Sequence, residues 1–167
     1  MTEVIIGSDE ALKGDTFGGI VVAAVRADVN ERAKLAALGV RDSKKIVDTK
    51  VRVLAEMVKR LVEHKIISLL PFEYNERCAA VGLTRLLNEL HTEASALGRG
   101  KHIVDKYPGC NVGDECVEKG EEKHVEIAAA SILARAGALE QIEMLSKKAG
   151  YKLPLGSTHV LVALQEL

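Results

Sequence analysis

Runs of apolar residues, separated by short polar segments, predict that strands and helices alternate along this chain. Short apolar runs, β-branched or continuous, predict strands at residues 3–8, 19–27, 65–70, 100–105 and 115–118. Apolar residues at helical spacing predict helices at residues 30–38, 48–64, 73–97, 123–149 and 157–167. Because the two kinds of element alternate, we expect an α/β fold in which helices cover a sheet.

Local signals predict where several of these elements end. The polar segment 9–15 contains a glycine and predicts a turn or loop after the first strand. Pro71 predicts the end of the third strand, and Gly150 predicts the end of the long alanine-rich helix. Ser157 or Thr158 is the predicted N-cap of the last helix.

Composition indicates one folded domain over residues 1–167, because 47% of the residues are hydrophobic and 28% are charged. The formal net charge of −1 argues against a globally basic nucleic-acid-binding surface. Aromatic residues make up only 3% of the chain, which argues against a base-stacking platform. A nucleic-acid partner would therefore need a local basic patch.

The cysteines and the N-terminus favour a cytoplasmic protein. Cys78, Cys110 and Cys116 are odd in number and form no CxxC pair, so we expect free thiols in a reducing compartment. The first residues carry neither the basic nor the long apolar region of a secretory signal. No run approaches the roughly 18 apolar residues of a membrane span, so no membrane partner is expected.

Acidic residues stand at the ends of three predicted strands or loops. They are the pair Asp9 and Glu10, the single Asp105, and the cluster Glu118, Glu121 and Glu122. A sheet can gather such ends at one edge, where the carboxylates would repel each other unless a cation neutralises them. Oxygen ligands suit Mg²⁺ or Mn²⁺, and two such ions about 3.5–4 Å apart suit phosphodiester hydrolysis.

Each acidic feature also has an ordinary structural explanation. Asp9 and Glu10 suit a turn, and Asp105 before the Tyr-Pro-Gly segment suits an Asx-type turn. Glu121 and Glu122 suit the N-terminus of a helix, where an acidic residue contributes about 0.3–1 kcal/mol. From spacing alone, both interpretations stay open.

Two basic segments are candidates for phosphate binding. Residues 41–45 place Ser43, Lys44 and Lys45 before a helix, although a solvated charge run with a turn cap explains them equally well. Lys13 and Gly14 in the first loop form a weaker candidate. The five histidines show no metal-ligand spacing, and His124 is of interest only because it follows the acidic cluster.

Four segments together resemble the type 2 ribonucleases H, the ribonuclease HII and HIII family. They are GSDEALKGDTFGGIVVAAV at 7–25, LGVRDSKKI at 38–46, HIVDKYPG at 102–109 and KGEEKHVEIAAASILARA at 119–136. They span most of the chain in the order that the family has. The resemblance implies a ribonuclease H-like fold with a mixed central sheet flanked by helices.

The resemblance also implies which residues hold metal and substrate. The family's four acids correspond to Asp9, Glu10, Asp105 and Glu121, with Glu122 the alternative for the fourth, and they would bind two Mg²⁺ or Mn²⁺ ions. The substrate-binding residues implied by matching motifs are Lys13, Gly14, Asp15, Ser43, Lys44 and Lys45. Backbone groups of residues 13–15 would read the 2′-hydroxyl that distinguishes RNA from DNA.

The subfamily signals favour ribonuclease HIII over HII. Leu12 stands where HII members usually have glycine, and the segment LPLGSTH at 153–159 lacks the later tyrosine. The segments GDTFGG at 14–19 and LTRLLNELH at 83–91 look like ribonuclease HIII. A leucine in place of a glycine that adopts positive φ would carry a conformational cost.

The implied activity is hydrolysis of the RNA strand of RNA–DNA hybrids, leaving 5′-phosphate and 3′-hydroxyl ends. The alternatives are a non-catalytic hybrid-binding module and HII-type cleavage at single ribonucleotides in a duplex. The chain looks like a catalytic core without the family's usual additional domains, so weak and salt-sensitive binding is expected. The oligomeric state stays open, and dimerisation is one way to enlarge so small a binding surface.

Overall fold

A five-stranded mixed sheet forms the centre of the molecule. The computed structural model describes residues 3–157 and 160–166, and of residues 42–44 the backbone alone. The strands are β1 (Ile5–Ala11), β2 (Ile20–Ala27), β3 (Glu63–Leu69), β4 (Lys101–Asp105) and β5 (Glu115–Val117). Their order in the sheet is β3-β2-β1-β4-β5, with β1 antiparallel to β2 and parallel to β4. This architecture confirms the predicted mixed central sheet.

Helices cover both faces of this sheet. They are α1 (Val29–Ala37), α2 (Asp48–Leu61), α3 (Pro71–Val81), α4 (Leu83–Ala94), α5 (Gly120–Lys123), α6 (Val125–Ala149) and α7 (Val160–Glu166), with a 3-10 turn at Val40–Lys45. One face packs against α1, α2 and α6, and the other packs against α4. No helix within the described residues is long and apolar enough to cross a membrane.

Helix α6 is the main packing partner of the sheet and passes directly over β1. Its N-terminal half is buried on nearly all sides and is rich in alanine, as expected for a helix in the core of a domain. At Gly7 the two elements approach so closely that an added Cβ would lie 2.5 Å from the backbone of Glu126 and Ile127. The helix ends at Gly150, which adopts φ 69° as the sequence predicts.

Two predictions differ from the structure by more than a shift of a few residues at the end of an element. Asp9 and Glu10 were expected in a loop, but they belong to β1, because the strand continues to Ala11 by pairing with Val21 of β2. The single helix predicted over 73–97 is two helices, α3 and α4. Gly82 separates them with φ 84° and ψ 159°, a conformation outside any helix.

The helix expected at 157–167 is present as α7, which begins at Val160. Of its two predicted caps, Thr158 lies outside the described residues and Ser157 precedes that gap.

The expectation of three free thiols is wrong for two of them. The structure joins Cys110 and Cys116 in a disulfide, with their Cα atoms 6.5 Å apart, within the usual range for such a bond. The chain turns at Gly109 and then runs beside β4 as β5, and this return brings the two cysteines together without a CxxC spacing. Cys78 is the free cysteine.

Candidate active site

The last residues of β1 send acidic side chains to both faces of the sheet. Ile5 and Gly7 face α6, so strand alternation places Asp9 on that side. Ile6 faces α4, so Glu10 lies on the other side. Asp9 is only 7% exposed. The two neighbouring carboxylates therefore point to opposite faces, yet both lie at the same end of the sheet.

The parallel pairing of β1 with β4 brings a third acid beside Asp9. Ser8 lies opposite Val104, so the next residue on each strand, Asp9 and Asp105, ends up adjacent at this sheet edge. Asp105 also accepts a 2.8 Å hydrogen bond on Oδ1 from the backbone N–H of Gly120. This bond fixes the first residue of α5 next to the end of β4.

Helix α5 supplies the fourth acid. Lys119 precedes this helix with φ 50° and ψ 45°, a left-handed conformation that turns the chain back towards the sheet. Glu121 is 9% exposed and interacts electrostatically with Asp9 and Asp105, whereas Glu122 is exposed. The structure thus places Glu121, and not its neighbour, with the other three acids.

The proximity of these carboxylates perturbs their protonation. Burial, and then the negative charges of Glu10 and Asp105, raise the pKa of Asp9 well above its ordinary value. Burial also raises the pKa of Asp105, with further contributions from Glu10 and Glu121. Carboxylates held together in this way lower their mutual repulsion by binding a proton or a cation.

Glu10 is held by groups on the α4 side. Its Oε2 lies 3.1 Å from Nε2 of His91, and its Oε1 lies 3.5 Å from Nζ of Lys13. His91 is completely buried, and its ring packs against that of Tyr107 with centroids 5.1 Å apart and planes tilted by 31°. The Tyr107 hydroxyl in turn donates a 2.6 Å hydrogen bond to Oδ1 of Asn88.

A hydrogen-bonded chain continues from His91 to the adjacent strands. The Ser8 hydroxyl lies 2.7 Å from Nδ1 of His91 and 2.7 Å from Nε2 of His102. Burial and then the neighbouring His91 lower the pKa of His102 to about 4, so this ring is neutral at neutral pH. Glu10, His91, Ser8 and His102 therefore form one network.

His91, Ser8 and His102 were not predicted from the sequence, whereas His124 was of interest because it follows the acidic cluster. A signal was present, because His91 lies one residue after Leu90 on the buried leucine face of α4, where a polar residue needs a partner. Its partner could not be identified, because Ser8 is 83 residues away along the chain.

The loop after β1 carries the first group of predicted substrate-binding residues. Leu12 has φ 74°, so the leucine does adopt the conformation that glycine favours. Lys13 and Gly14 are exposed at the tip of the turn, which the Asp15 N–H closes by bonding to the Leu12 carbonyl.

Asp15 has a structural role in this loop. Its Oδ1 accepts hydrogen bonds from the N–H groups of Phe17 and Gly18, and its Oδ2 accepts one from Gly156. The carboxylate therefore ties the loop to the segment before α7. The prediction that backbone groups of this loop contact substrate stays a prediction.

The second predicted group lies in the 3-10 turn before α2. Nothing is described of the side chains of Ser43 and Lys44, while Lys45 is exposed. Arg135 of α6 donates a hydrogen bond to the carbonyl of Ile46 and so holds the end of this turn. A cavity of about 370 Å³ runs beside this position, lined by the first loop, Asp48, Arg135 and residues 155–157.

The four acids have the donor chemistry of a magnesium or manganese site. Carboxylate oxygens are the ligands these ions prefer. Burial and the neighbouring carboxylates raise the pKa values of Asp9 and Asp105, and a bound cation would offset the repulsion between these carboxylates. Over residues 3–157 and 160–166, no three histidine, cysteine or carboxylate side chains already surround one point at metal-binding distance. The acids are thus neighbours that a cation would draw together.

Comparisons with known proteins show the family to which the chain is similar. Residues 6–160 match the protein family described as Ribonuclease HII. Ribonuclease HIII from Enterococcus faecalis is 33% identical, and the alignment covers 92% of this chain and 57% of that protein. Ribonuclease HIII from Geobacillus kaustophilus is 34% identical over 91% of this chain and 56% of its own length. The chain therefore spans less than two thirds of the curated relatives it matches.

Solved structures confirm the predicted ribonuclease H-like fold. Bst-RNase HIII in complex with Mn²⁺ superposes with a TM-score of 0.82 at 32% identity, covering 95% of this chain and 59% of that one. Aquifex aeolicus RNase H3 gives a TM-score of 0.85 at 28% identity, covering 98% and 68%. An RNase HII from Archaeoglobus fulgidus, solved in complex with PCNA, gives 0.83 at 28% identity, covering 98% and 87%.

Proposed function

The chain belongs to the ribonuclease HII family, and from that premise we propose that it is an endoribonuclease acting on the RNA strand of RNA–DNA hybrids. The observation that carries this proposal is the convergence of four acids from three separate elements at one end of the sheet. A protein that only bound hybrids would have no need to bury mutually repelling carboxylates, which cost stability.

The four acids would hold two divalent ions of the magnesium or manganese type. When bound, such a pair of ions activates a water molecule and stabilises the leaving 3′ oxygen of the scissile phosphodiester. Asp9 and Asp105 would bind from the α6 side of the sheet, and Glu10 would bind from the α4 side. Glu121 would complete the site from α5. The expected products carry 5′-phosphate and 3′-hydroxyl ends.

The substrate would lie across the exposed tip of the first loop. Lys13 is close enough to Glu10 to place a positive charge beside the acids, where the phosphate backbone must pass. The backbone at residues 13–15 would read the RNA 2′-hydroxyl, the group that DNA lacks. Ser43, Lys44 and Lys45 would contact a second phosphate.

A cleavage assay with three labelled duplexes tests this proposal. The substrates are an RNA–DNA hybrid, a DNA duplex with one ribonucleotide, and plain DNA, each with Mg²⁺ or Mn²⁺. We expect cleavage of the hybrid and loss of that activity in Asp9→Asn and Asp105→Asn, while circular dichroism shows that both variants are folded. Glu122→Gln is the matched control, because it removes an exposed acid from the same helix as Glu121.

Each result has one interpretation. Cleavage confined to the single ribonucleotide would indicate HII-type specificity, and binding without cleavage would indicate a hybrid-binding module. An active Asp105→Asn protein would remove that residue from the site. If Glu122→Gln lost activity and Glu121→Gln did not, the fourth acid would be Glu122.

A further inference from the structure

We propose that His91 is a positioning residue that fixes the orientation of the Glu10 carboxylate for metal binding, and that Ser8 and His102 fix His91. This inference rests on the proposed function, because it gives Glu10 the role of a metal ligand. It concerns a buried network that lies behind the acids, on the face of the sheet covered by α4.

The Glu10 carboxylate sets the direction of the hydrogen bond from His91, and Ser8 links the two histidine rings. A carboxylate can only accept, so the His91 nitrogen that faces Glu10, Nε2, carries the hydrogen. The Ser8 hydroxyl has one hydrogen and lies between two imidazole nitrogens, so it donates to one and accepts from the other. When His102 donates to Ser8 and Ser8 donates to Nδ1 of His91, each hydrogen bond of the network has one donor and one acceptor.

Packing restricts the His91 ring as tightly as the hydrogen bonds do. The ring has no exposed surface and packs against Tyr107. The Tyr107 ring is itself held by the hydrogen bond from its hydroxyl to Asn88. Rotation of the ring would break its bonds to Glu10 and Ser8 together. Two ordered partners on opposite sides of an imidazole fix both its orientation and its tautomer.

This arrangement matters because glutamate is the more flexible of the two acids on β1. Asp9 accepts a 2.8 Å hydrogen bond from the Glu10 backbone N–H, which restrains its short side chain. Glu10 has one more rotatable bond, and its Oε1 pairs with Lys13, which is 3.5 Å away and partly exposed. His91 is therefore the rigid group that determines where this carboxylate points.

The test measures Mn²⁺ binding directly, by calorimetry on the protein without substrate. The decisive variant is His91→Phe, which keeps a ring against Tyr107 and removes the donor. We expect its Mn²⁺ affinity to fall by roughly 10–100-fold, the usual effect of removing the partner that orients a metal ligand. His91→Gln, which places an amide N–H near the position of Nε2, should recover most of the affinity.

Two further variants separate positioning from general destabilisation. His64→Phe alters a half-buried histidine on β3 whose ring lies 3.1 Å from the Val62 carbonyl, and it should bind Mn²⁺ like the unmodified protein. Ser8→Ala removes only the hydroxyl that orients His91, so it decides the question if His91→Phe does not fold. Its Mn²⁺ affinity should fall severalfold, with the protein still folded at the assay temperature.

A spectroscopic measurement is independent of both metal and activity. In ¹⁵N-histidine NMR we expect a slowly exchanging imidazole N–H signal from His91, absent in His91→Phe. Its chemical shift should change in Glu10→Gln, because the acceptor changes from a carboxylate to an amide. A His91 signal unaffected by Glu10→Gln would overturn the proposal.

The outcomes for this inference and for the proposed function differ. Equal Mn²⁺ affinities of the unmodified protein, His91→Phe and Ser8→Ala would overturn the positioning role alone. A protein that bound Mn²⁺ more tightly than His91→Phe and yet cleaved no hybrid would overturn the proposed function alone. Failure of the unmodified protein to bind Mn²⁺ would overturn both.

Discussion

The close approach of α6 to β1 makes Gly7 a position where even the smallest side chain should have a large effect. In Gly7→Ala the new Cβ would lie 2.5 Å from the carbonyl carbon of Glu126 and from the amide nitrogen of Ile127. Ordinary contact begins near 3.4 Å, so the two backbones must separate by about 0.9 Å. Neither can move freely, because β1 is paired on both edges and α6 is buried.

The magnitude follows from this displacement. Overpacking of a core costs about 1–3 kcal/mol, and a gap of up to 1 Å forfeits roughly a quarter to a half of each dispersion contact it opens. For the contacts around Ile127 that loss adds about 1–2 kcal/mol, so we expect a total of about 2–5 kcal/mol. In a domain of this length the unfolding midpoint would fall by roughly 4–20 °C.

Thermal unfolding followed by circular dichroism measures this shift. The control is Gly39→Ala, where φ is +80° and an added Cβ meets no atom within 4 Å, so only backbone strain of about 1–2 kcal/mol is introduced. If Gly7→Ala lowered the midpoint no more than Gly39→Ala, steric contact between α6 and β1 would not be the determining interaction.

Two further predictions concern the acids and their surroundings. Burial and neighbouring charge raise the pKa values of Asp9 and Asp105, so their stabilising contribution is complete below about pH 4 and is lost as pH rises through the folded values. In EDTA at pH 8, Asp9→Asn should therefore unfold at a higher temperature than the unmodified protein. The difference between the two unfolding midpoints should disappear towards pH 4, and equal midpoints at pH 8 would contradict this prediction. Lys119 has φ 50°, so Lys119→Gly should raise the free energy of unfolding by about 0.5–1 kcal/mol, because relieved strain of ~1–2 kcal/mol exceeds the entropic cost of glycine. Lys119→Ala should leave the free energy of unfolding unchanged. Differential scanning calorimetry measures both variants.

The pattern of the sequence was sufficient for the sheet and most helices, and it failed where tertiary contacts override local preference. The leucine face that predicted one helix over 73–97 belongs entirely to α4, and α3 has no buried residue. Gly82 can separate the two helices because no buried helical face extends across it from α4 into α3. Asp9 and Glu10 look like turn residues locally, but strand pairing with β2 holds them in β1.

The acids of the candidate site could be predicted from the sequence, but the residues that support them could not. Acids at strand ends are visible in a sequence, and the parallel register that joins Asp9 to Asp105 follows once the two strands are neighbours. The supporting network was not predictable, because a serine and two histidines have no common local signature. Only their meeting across three elements gives them a shared role.

The order of the strands has a practical consequence for dividing the protein in two. The exposed turn at residues 98–100 joins α4 to β4, so a cut there leaves Asp9, Glu10 and His91 in one fragment and Asp105 and Glu121 in the other. The first fragment keeps the antiparallel strands β1 to β3, and the second brings the two remaining strands. Neither fragment alone holds the four acids, so restored hybrid cleavage would report that the two had reassembled along the β1–β4 edge.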